Sequence, residues 1–494
     1  MKNRGFLHYF LKSSSGIMTS RVLGLVRDLT VAAVFGANRF TDAFFVAFAI
    51  PNLFRALFAE GALSSAYVPI LAEKYAKSKD NAIKYLNQLI IGVSGFILFI
   101  TLLVYIFPDY IITLFMPGSR NDLDVIGAAS KMLVIVMPYL WFVTVVAMLT
   151  GYLNLMGSYY VPYSSTAMLN IFMMLGALAG YHYGGNIIYL AWGVLLGGVT
   201  QLLYVFFYSL KKGFKVVSFG ERDPDLKKTF LLIIPSIAGL GINQINFVVD
   251  RIFASFLSAG SISFLYYANR LFQFPLGVFS VALNSVSLTE MSRALANNDR
   301  VRAYKIIDKS IISLCFIVIP ATIGLFLLSY DITALIYKRK SFGITEAKLT
   351  SEALKMYSIG LLFYSLVGLF TRVFYTKKDT ITPVRVAFFM SMLNALLDYI
   401  FMFRFGHAGI ALASSVVAMI NTIILYKKIG DYRFSFYENG GLMLKIVLSS
   451  VIMSCFIIIG KYFKINVLIN VVLSSLLYFA SCRLMGIRIR EVLR

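Results

Sequence analysis

The sequence predicts an all-α integral membrane protein of about 14 transmembrane helices, built as two pseudo-symmetric six-helix lobes followed by two further helices. Three observations carry that prediction. Of the 494 residues, 59% are hydrophobic and only 14% are charged, too little charge to cover a water-soluble chain of this length. Apolar stretches of about 20 residues, enough to cross a hydrocarbon core of roughly 30 Å, recur from one end to the other. The polar residues inside those stretches repeat with an offset of roughly 220 residues.

Taken in order, the first apolar stretch carries Arg21, Arg27 and Asp28 and lacks a cleavage region, so it reads as a retained helix and not a cleaved signal. On a helical wheel Ser13, Gly16, Ser20, Arg21, Gly24, Arg27 and Asp28 share one sector of about 160°, opposite Leu11, Met18, Val22, Leu25, Val26 and Leu29. The second helix brings Asp42, Asn52 and Arg55, with Pro51 bending it. Residues 89–107 and 132–153 follow as plain spans, then a Pro-led helix with Pro162 and Asn170, then a small-residue helix with Gln201. After a polar linker at 211–228 the pattern returns. The seventh helix has Asn243, Asn246, Asp250 and Arg251; the eighth has Asn269 and Arg270 before Pro275 and Gly277. Pro383 and Asn394 match Pro162 and Asn170, and Asn421 matches Gln201. Spans at 442–462 and 465–484 have no partners. The expected lobes are therefore residues 1–215 and 216–430, with 431–494 as an added helix pair.

A net charge of +23 first suggests nucleic acid, but its placement follows the positive-inside rule instead. With a cytoplasmic N-terminus, taken from Lys2, Arg4 and Lys12, about 28 of the 46 Lys and Arg fall inside and about 11 outside, and both termini are cytoplasmic. Most of this charge sets topology and can grip anionic lipid headgroups. The run Lys338, Arg339 and Lys340 breaks the rule by lying outside. Cys315, Cys455 and Cys482 show no paired spacing for a disulfide or a metal. His8 lies near the cytoplasmic end, and His182 and His407 are expected at the surface of outer helix ends.

Ionisable side chains inside spans cost several kcal/mol unless they meet a partner or a wet cavity. Any one arginine is best read as paired with Asp28, Asp42 or Asp250. As a set, about five arginines meet about three aspartates, which leaves positive charge over. If the halves face each other, Arg21, Arg27, Arg55 and Arg270, with Arg251 as a further candidate, converge on one cavity suited to an anionic substrate. Guanidinium forks fit phosphate or pyrophosphate best. A second constellation, Asn394 with Asp398 one turn away, then Ser414 and Asp250, offers oxygen ligands to Na⁺, or Asp398 to a proton. An interhelical clamp of Asp398 with Arg372 explains it equally well. No nucleophile elbow, P-loop or metal-ligand spacing is present, and the loop at 330–354, with Asp331, Glu346 and Glu352, forms no catalytic constellation. A non-transporting scaffold has no use for mid-membrane arginines, and a drug exporter should present acidic and aromatic groups.

The stretch SRVLGLVRD at 20–28, then FGANRFTDAFFVAF, then PNLFRALFAEGALSSAYVPILAE at 51–73, together with YYANRLFQFPLGV in the second half, resembles the MurJ (MviN) lipid II flippases. These belong to the multidrug/oligosaccharidyl-lipid/polysaccharide exporter superfamily. The resemblance spans the chain and implies a V-shaped two-lobed bundle in the bacterial cytoplasmic membrane. It implies transport, not catalysis, of lipid II from the inner to the outer leaflet by alternating access, for peptidoglycan and cell-wall biogenesis. Arg21, Arg27, Arg55 and Arg270 then correspond to the essential cavity arginines, Asp28 and Asp42 to functional acids, and Asn52 joins them as a candidate contact. A Na⁺ site would comprise Asp250, Asn394, Asp398, the Ile410 carbonyl and Ser414, with Na⁺ or H⁺ as coupling ion and no other cofactor. The last two helices would form a groove for the polyprenyl tail. Proteins of the cell-wall machinery are candidate partners. Ala56 departs from relatives that carry a second Arg there. A flippase for another polyprenyl-linked glycan, or a cation-coupled drug exporter of the same superfamily, is the alternative.

Overall fold

The computed structural model describes residues 4–57, 63–217, 222–430, 432–488 and 492, with the side chains of 4–15, 17, 234–240, 242, 243 and 436 outside that description. His8, Leu11, Lys12, Ser13 and Asn243 therefore have no described side chain, and motif residues 58–62 lie outside altogether. Every described element is helical apart from an isolated bridge between Arg339 and Phe342. A hydrocarbon solvent demands this, because a helix closes its own backbone hydrogen bonds and shows lipid no polar edge. Among the described residues, 11 segments are long and apolar enough to cross a membrane. That set leaves aside α1 (Arg4–Phe35) and α11 (Asp225–Ala254), so the count of fourteen stays an expectation. Contacts divide the chain into two compact units, Met1–Gly260 with Arg339–Phe342, and Ser261–Lys338 with Gly343–Arg494. The helix α11, which the repeat places at the head of the second lobe, groups with the first unit.

In the first unit, α1 exposes Met18, Val22, Leu25 and Val26 and buries Arg27 and Asp28 from its polar face. Asn38 caps α2 (Arg39–Phe54): its Oδ1 accepts from the Phe40 and Thr41 amides, while Thr41 Oγ1 accepts from the Asn38 amide. Four residues after Pro51 the helix widens into a π turn at 55–57, and α3 (Leu63–Lys77) follows. The next helices are α4 (Lys79–Ile106), α5 (Pro108–Phe115), α6 (Leu123–Val136) and α7 (Tyr139–Leu155). The α6–α7 segment buries 67% of its most apolar stretch, against 28% for α4, so the former is core and the latter faces lipid. After α8 (Tyr160–Ser164), α9 (Thr166–His182) and α10 (Ile188–Lys211) come close enough for backbone contact. A Cβ on Gly193 would lie 2.6 Å from the Phe172 carbonyl, the small-residue packing on which membrane helices rely. At the other end of the unit, Lys74 Nζ bridges Asp223 (2.9 Å) and Asp225 (2.8 Å), tying α3 to the start of α11. The hydrogen bond from Lys74 holds the Asp225 carboxyl below the usual carboxylate range, so the tie is complete at neutral pH and is lost only as pH falls through that lowered value.

In the second unit, α12 (Ser261–Pro275) passes through a π turn, Leu276–Ser280, into α13 (Val281–Ala296). Then come α14 (Arg300–Leu327), α15 (Ser329–Tyr337) and α16 (Ile344–Thr376). Residues 330–354, expected as a long loop, are mostly helix. Glu346 caps the start of α16 by accepting from the Gly343 amide at 2.8 Å. The 48-residue α17 (Ile381–Lys428) is two helices joined at Gly406, whose φ of 56° breaks the spiral. Its second arm bonds α16 through His407 to the Leu349 carbonyl, Ser415 to Met356 and Thr422 to Phe363. These partners rise together, so the second arm runs parallel to α16 and packs directly on it. His407 corrects the surface expectation: it is 6% exposed because its ring packs on Phe264 and bonds a helix carbonyl. Finally α18 (Phe436–Tyr462) and α19 (Val467–Leu484) dock on α14, where Tyr478 Oη donates to the Phe316 carbonyl at 2.6 Å.

One short segment of late sequence, Arg339–Phe342, packs within the first unit. The Ser341 amide donates to the Ala33 carbonyl (3.0 Å) and its hydroxyl to that of Val34 (2.8 Å), closing orphan carbonyls at the end of α1. Lys340 Nζ lies 4.2 Å from the Tyr181 ring centroid. Gly36 ends α1 at φ +70°, and a Cβ there would sit 2.4 Å from the Ser341 carbonyl oxygen. Gly36→Ala should therefore destabilise the protein by about 2 kcal/mol, from left-handed strain plus the clash. Ser341→Ala, which removes one hydrogen bond only, should cost about 1 kcal/mol. Thermal unfolding in detergent ranks the two, and equal midpoints for Gly36→Ala and the parent would refute the close approach.

Candidate substrate and ion site

The polar face of α1 divides into two parts. Arg21 is exposed and makes no ion pair among the described residues. Two turns on, Arg27 and Asp28 are 6% and 4% exposed. Arg27 folds back on its neighbour, Nε and Nη2 donating to Asp28 Oδ1 at 3.0 and 2.7 Å. Its Nη1 donates to Asn170 Oδ1 on α9 at 3.0 Å, with Met173 Sδ at 3.7 Å. Asn170 Nδ2 in turn donates to the Ser20 carbonyl at 3.0 Å. A buried ion pair survives only when its remaining donors are satisfied, and the neutral amide does that here. Sequence reasoning used Asn170 only as a repeat marker. Its match with Asn394 was the available signal that it serves a charged group.

Asp42 stands at the opposite end of α2 from Arg55. It occupies the first turn, is 4% exposed, and Oδ2 accepts from the Gly260 amide at 2.7 Å, at the threshold of α12. A carboxylate suits a helix N-terminus electrostatically. Asn52 Nδ2 donates to the Phe48 carbonyl (2.8 Å) while its Oδ1 accepts from Arg55 Nε (3.0 Å), so this amide orients the half-buried Arg55. In the second unit Arg270 is exposed on α12, donates from Nη2 to Tyr266 Oη at 3.0 Å and lies 5.0 Å from the Tyr266 ring centroid. Arg251 donates to the Phe247 carbonyl of its own helix at 3.0 Å.

The oxygen-bearing residues split between units: half-buried Asp250 belongs to the first, and Asn394, Asp398, Ile410 and Ser414 all lie on α17 in the second. Their exposures are 2%, 0%, 0% and 6%, and Asn394 Nδ2 donates to Asp398 Oδ2 at 2.8 Å. Arg372 forms no ion pair with Asp398 among the described residues. No cluster of three or more His, Cys, Asp or Glu suited to a metal occurs among the described residues either. The donors on offer are carboxylate, amide, hydroxyl and carbonyl oxygens, the types a hard monovalent cation accepts.

Comparison with known proteins gives a consistent result. The family profile described as lipid II flippase MurJ matches residues 31–481. A probable lipid II flippase MurJ of Vibrio cholerae is 36% identical over 428 residues, covering 84% of this chain and 81% of its own. One from Buchnera aphidicola of Acyrthosiphon pisum is 30% identical over 495 residues, covering 96% and 97%. A solved lipid II flippase MurJ in an inward closed conformation superposes with a TM-score of 0.85 at 31% identity, covering 97% of this chain and 99% of that one. An inward-facing MATE family transporter of the MOP superfamily shares the fold at a TM-score of 0.67 and 15% identity, covering 84% and 96%. The all-α, two-lobed membrane architecture and the resemblance in the motifs thus lead to the same place: this chain belongs to the MurJ lipid II flippase family.

Proposed function

We propose that this protein carries lipid II, a polyprenyl-pyrophosphate-linked muropeptide, from the inner to the outer leaflet of the bacterial cytoplasmic membrane by alternating access, as a transporter and not an enzyme. The observation that carries this reading is the near full-length match to a lipid II flippase structure. Both termini are cytoplasmic in this reading, as the distribution of Lys and Arg favours. The forks of Arg21, Arg55 and Arg270 meet the pyrophosphate, for which a permanently charged planar group is the suited partner, while that of Arg27 supports the same face from its buried place against Asp28 and Asn170. Asn52 and Asp28 orient two of those forks. Asp42 acts from the other end of α2, through the turn before α12. The polyprenyl tail stays in lipid beside α18 and α19.

Moving negative charge outward is favoured by about 2.3 kcal/mol per charge per 100 mV in an inside-negative membrane. A cation entering at Asp250, Asn394, Asp398, the Ile410 carbonyl and Ser414 resets the carrier. It biases the cycle only through unequal affinity for the two states. Na⁺ and H⁺ both suit a fully buried carboxylate such as Asp398.

Three outcomes follow for protein reconstituted in vesicles with labelled lipid II. Arg21→Ala and Arg270→Ala should each slow translocation by roughly tenfold or more, with Lys restoring part of it, since one charge-assisted hydrogen bond contributes about 1.5–3 kcal/mol. Chemical conversion of the lipid without translocation, or unaltered rates in both variants, would overturn the reading. Asn170→Leu should lower the thermal midpoint and slow transport, because it strips the buried Arg27 of an acceptor at a cost of about 1–3 kcal/mol; a variant as stable and as active as the parent removes Asn170 from the account. Asp398→Asn should abolish whatever dependence on Na⁺ or pH the parent shows. A dependence that persists unchanged rules Asp398 out as the coupling group.

A further inference from the structure

A cavity of about 550 Å³ opens at one end of the second unit, among the end of α14, α15, the first turns of α16 and the end of α18. Its charge is unusual for its place. Lys348, Lys355 and Lys461 line it, opposed by the single lining carboxylate of Glu352. Lys348 and Lys355 stand two turns apart on one face of α16. Lys355 Nζ lies 4.7 Å from the Phe326 ring centroid, poised at the cavity by a cation–π contact. Lys461 Nζ donates to the Leu327 carbonyl (2.8 Å) and forms an ion pair with Asp331 (3.0 Å), which holds it at the cavity. Tyr330 adds an exposed phenol.

The surroundings identify what could enter. The rim is apolar: Ile344 is 61% exposed, and Tyr462 and Phe463, just past Lys461, are 81% and 69% exposed. Exposed aromatic rings beside lysines at the end of a span mark the headgroup level of a bilayer. In the orientation proposed above, on which this inference rests, the cavity faces the outer leaflet, where the positive-inside rule disfavours three clustered lysines. Substrate arginines are elsewhere in the fold, and none lines this cavity. A soluble anion would need no apolar rim. We propose that this cavity binds the phosphate of an anionic membrane lipid from the outer leaflet, with Lys348, Lys355 and Lys461 as its cationic contacts and the acyl chains lying along Ile344 and the end of α18.

The test uses the full chain in detergent and native mass spectrometry, titrating phosphatidylglycerol, phosphatidylcholine or inorganic phosphate. The parent should retain phosphatidylglycerol in preference to phosphatidylcholine. Lys348→Gln and Lys355→Gln should each weaken that retention by about fivefold, with Lys355→Arg near the parent. Lys338→Gln, at the same end of the molecule but outside the cavity, should leave it unchanged. Thermal midpoints without added lipid identify any variant that simply fails to fold. Equal losses in Lys338→Gln and the cavity variants would overturn the proposal, as would retention unaffected by either cavity variant, or displacement of the lipid by equimolar inorganic phosphate. Translocation of lipid II is scored separately. Lost lipid retention with intact transport supports the cavity as a distinct site, whereas lost transport in the parent would fault the transport reading and not this one.

Discussion

A guanidinium inside a membrane-spanning bundle has to be met by its own protein, and in this chain Arg27 is met by Asp28 and Asn170. Removing one partner of such a buried pair costs about 3–5 kcal/mol, because the other charge is stranded. That demand fixes the register of α1 on α9. Asn170 reaches the Ser20 carbonyl two turns before Arg27, and Gly24 between them presents no side chain, its absent Cβ lying 3.6 Å from Asn170 Nδ2. The polar sector of α1 is therefore largely spent on packing. Arg21, in the same sector, stays exposed. One face thus does two jobs: it locks the unit together at Arg27 and presents charge at Arg21.

The broad plan was legible because hydrocarbon imposes so few solutions. Spans follow from apolar length, and the lipid face of α1 follows from Met18, Val22, Leu25 and Val26, all exposed. Partner choice was less legible. Asp42 shares a helix with Arg55 and was grouped with the arginines, yet it stands four turns away at the opposite end of α2, where it serves the Gly260 amide. Sequence spacing gives the face of a residue but not which backbone amide comes to meet it. His407 failed for a related reason: a histidine one residue after the Gly406 joint looks terminal, and only the return of α17 against α16 buries it. Residues 330–354 read as loop because Lys338–Lys340, Ser341 and Gly343 punctuate them. That punctuation proves to be a tight turn between two helices.

The two halves also answer the same local problem in the same way. In α2, Pro51 removes a backbone donor and the chain passes into a π turn that holds Arg55; in α12, Pro275 ends the helix and a π turn spans Leu276–Ser280, one turn and a half after Arg270. A π turn widens the spiral and frees a carbonyl, so it occurs where a helix must yield or bind. The matched asparagines behave alike as well. Asn170 meets the Arg27 guanidinium with its oxygen, and Asn394 meets the Asp398 carboxylate with its nitrogen. An amide can face a cation or an anion by rotating half a turn. A duplicated scaffold can in this way carry an anion-facing group in one half and a cation-facing group in the other, with the same residue type supporting each.

The basic residues on the outward side in the proposed orientation finally bear on how far the positive-inside rule reaches. That rule concerns charge in loops during insertion, while the folded protein applies a different pressure. Helices α1 and α14 end on this side, and a helix C-terminus carries a partial negative charge with unpaired carbonyls. Ser341 closes the carbonyls of Ala33 and Val34 beside Lys340, which rests on Tyr181; Lys461 closes that of Leu327. Each exception is thus held by a helix end or an aromatic face, which supplies the local attraction that the rule omits. Lys348 differs, since it lies near the start of α16, where the dipole is unfavourable to a cation, while Lys355 stands about three turns in and rests on the Phe326 ring. A helix end does not account for them. Glu352, on the same face, opposes the two lysines in part, and the phosphate of the proposed lipid would meet the positive charge that remains.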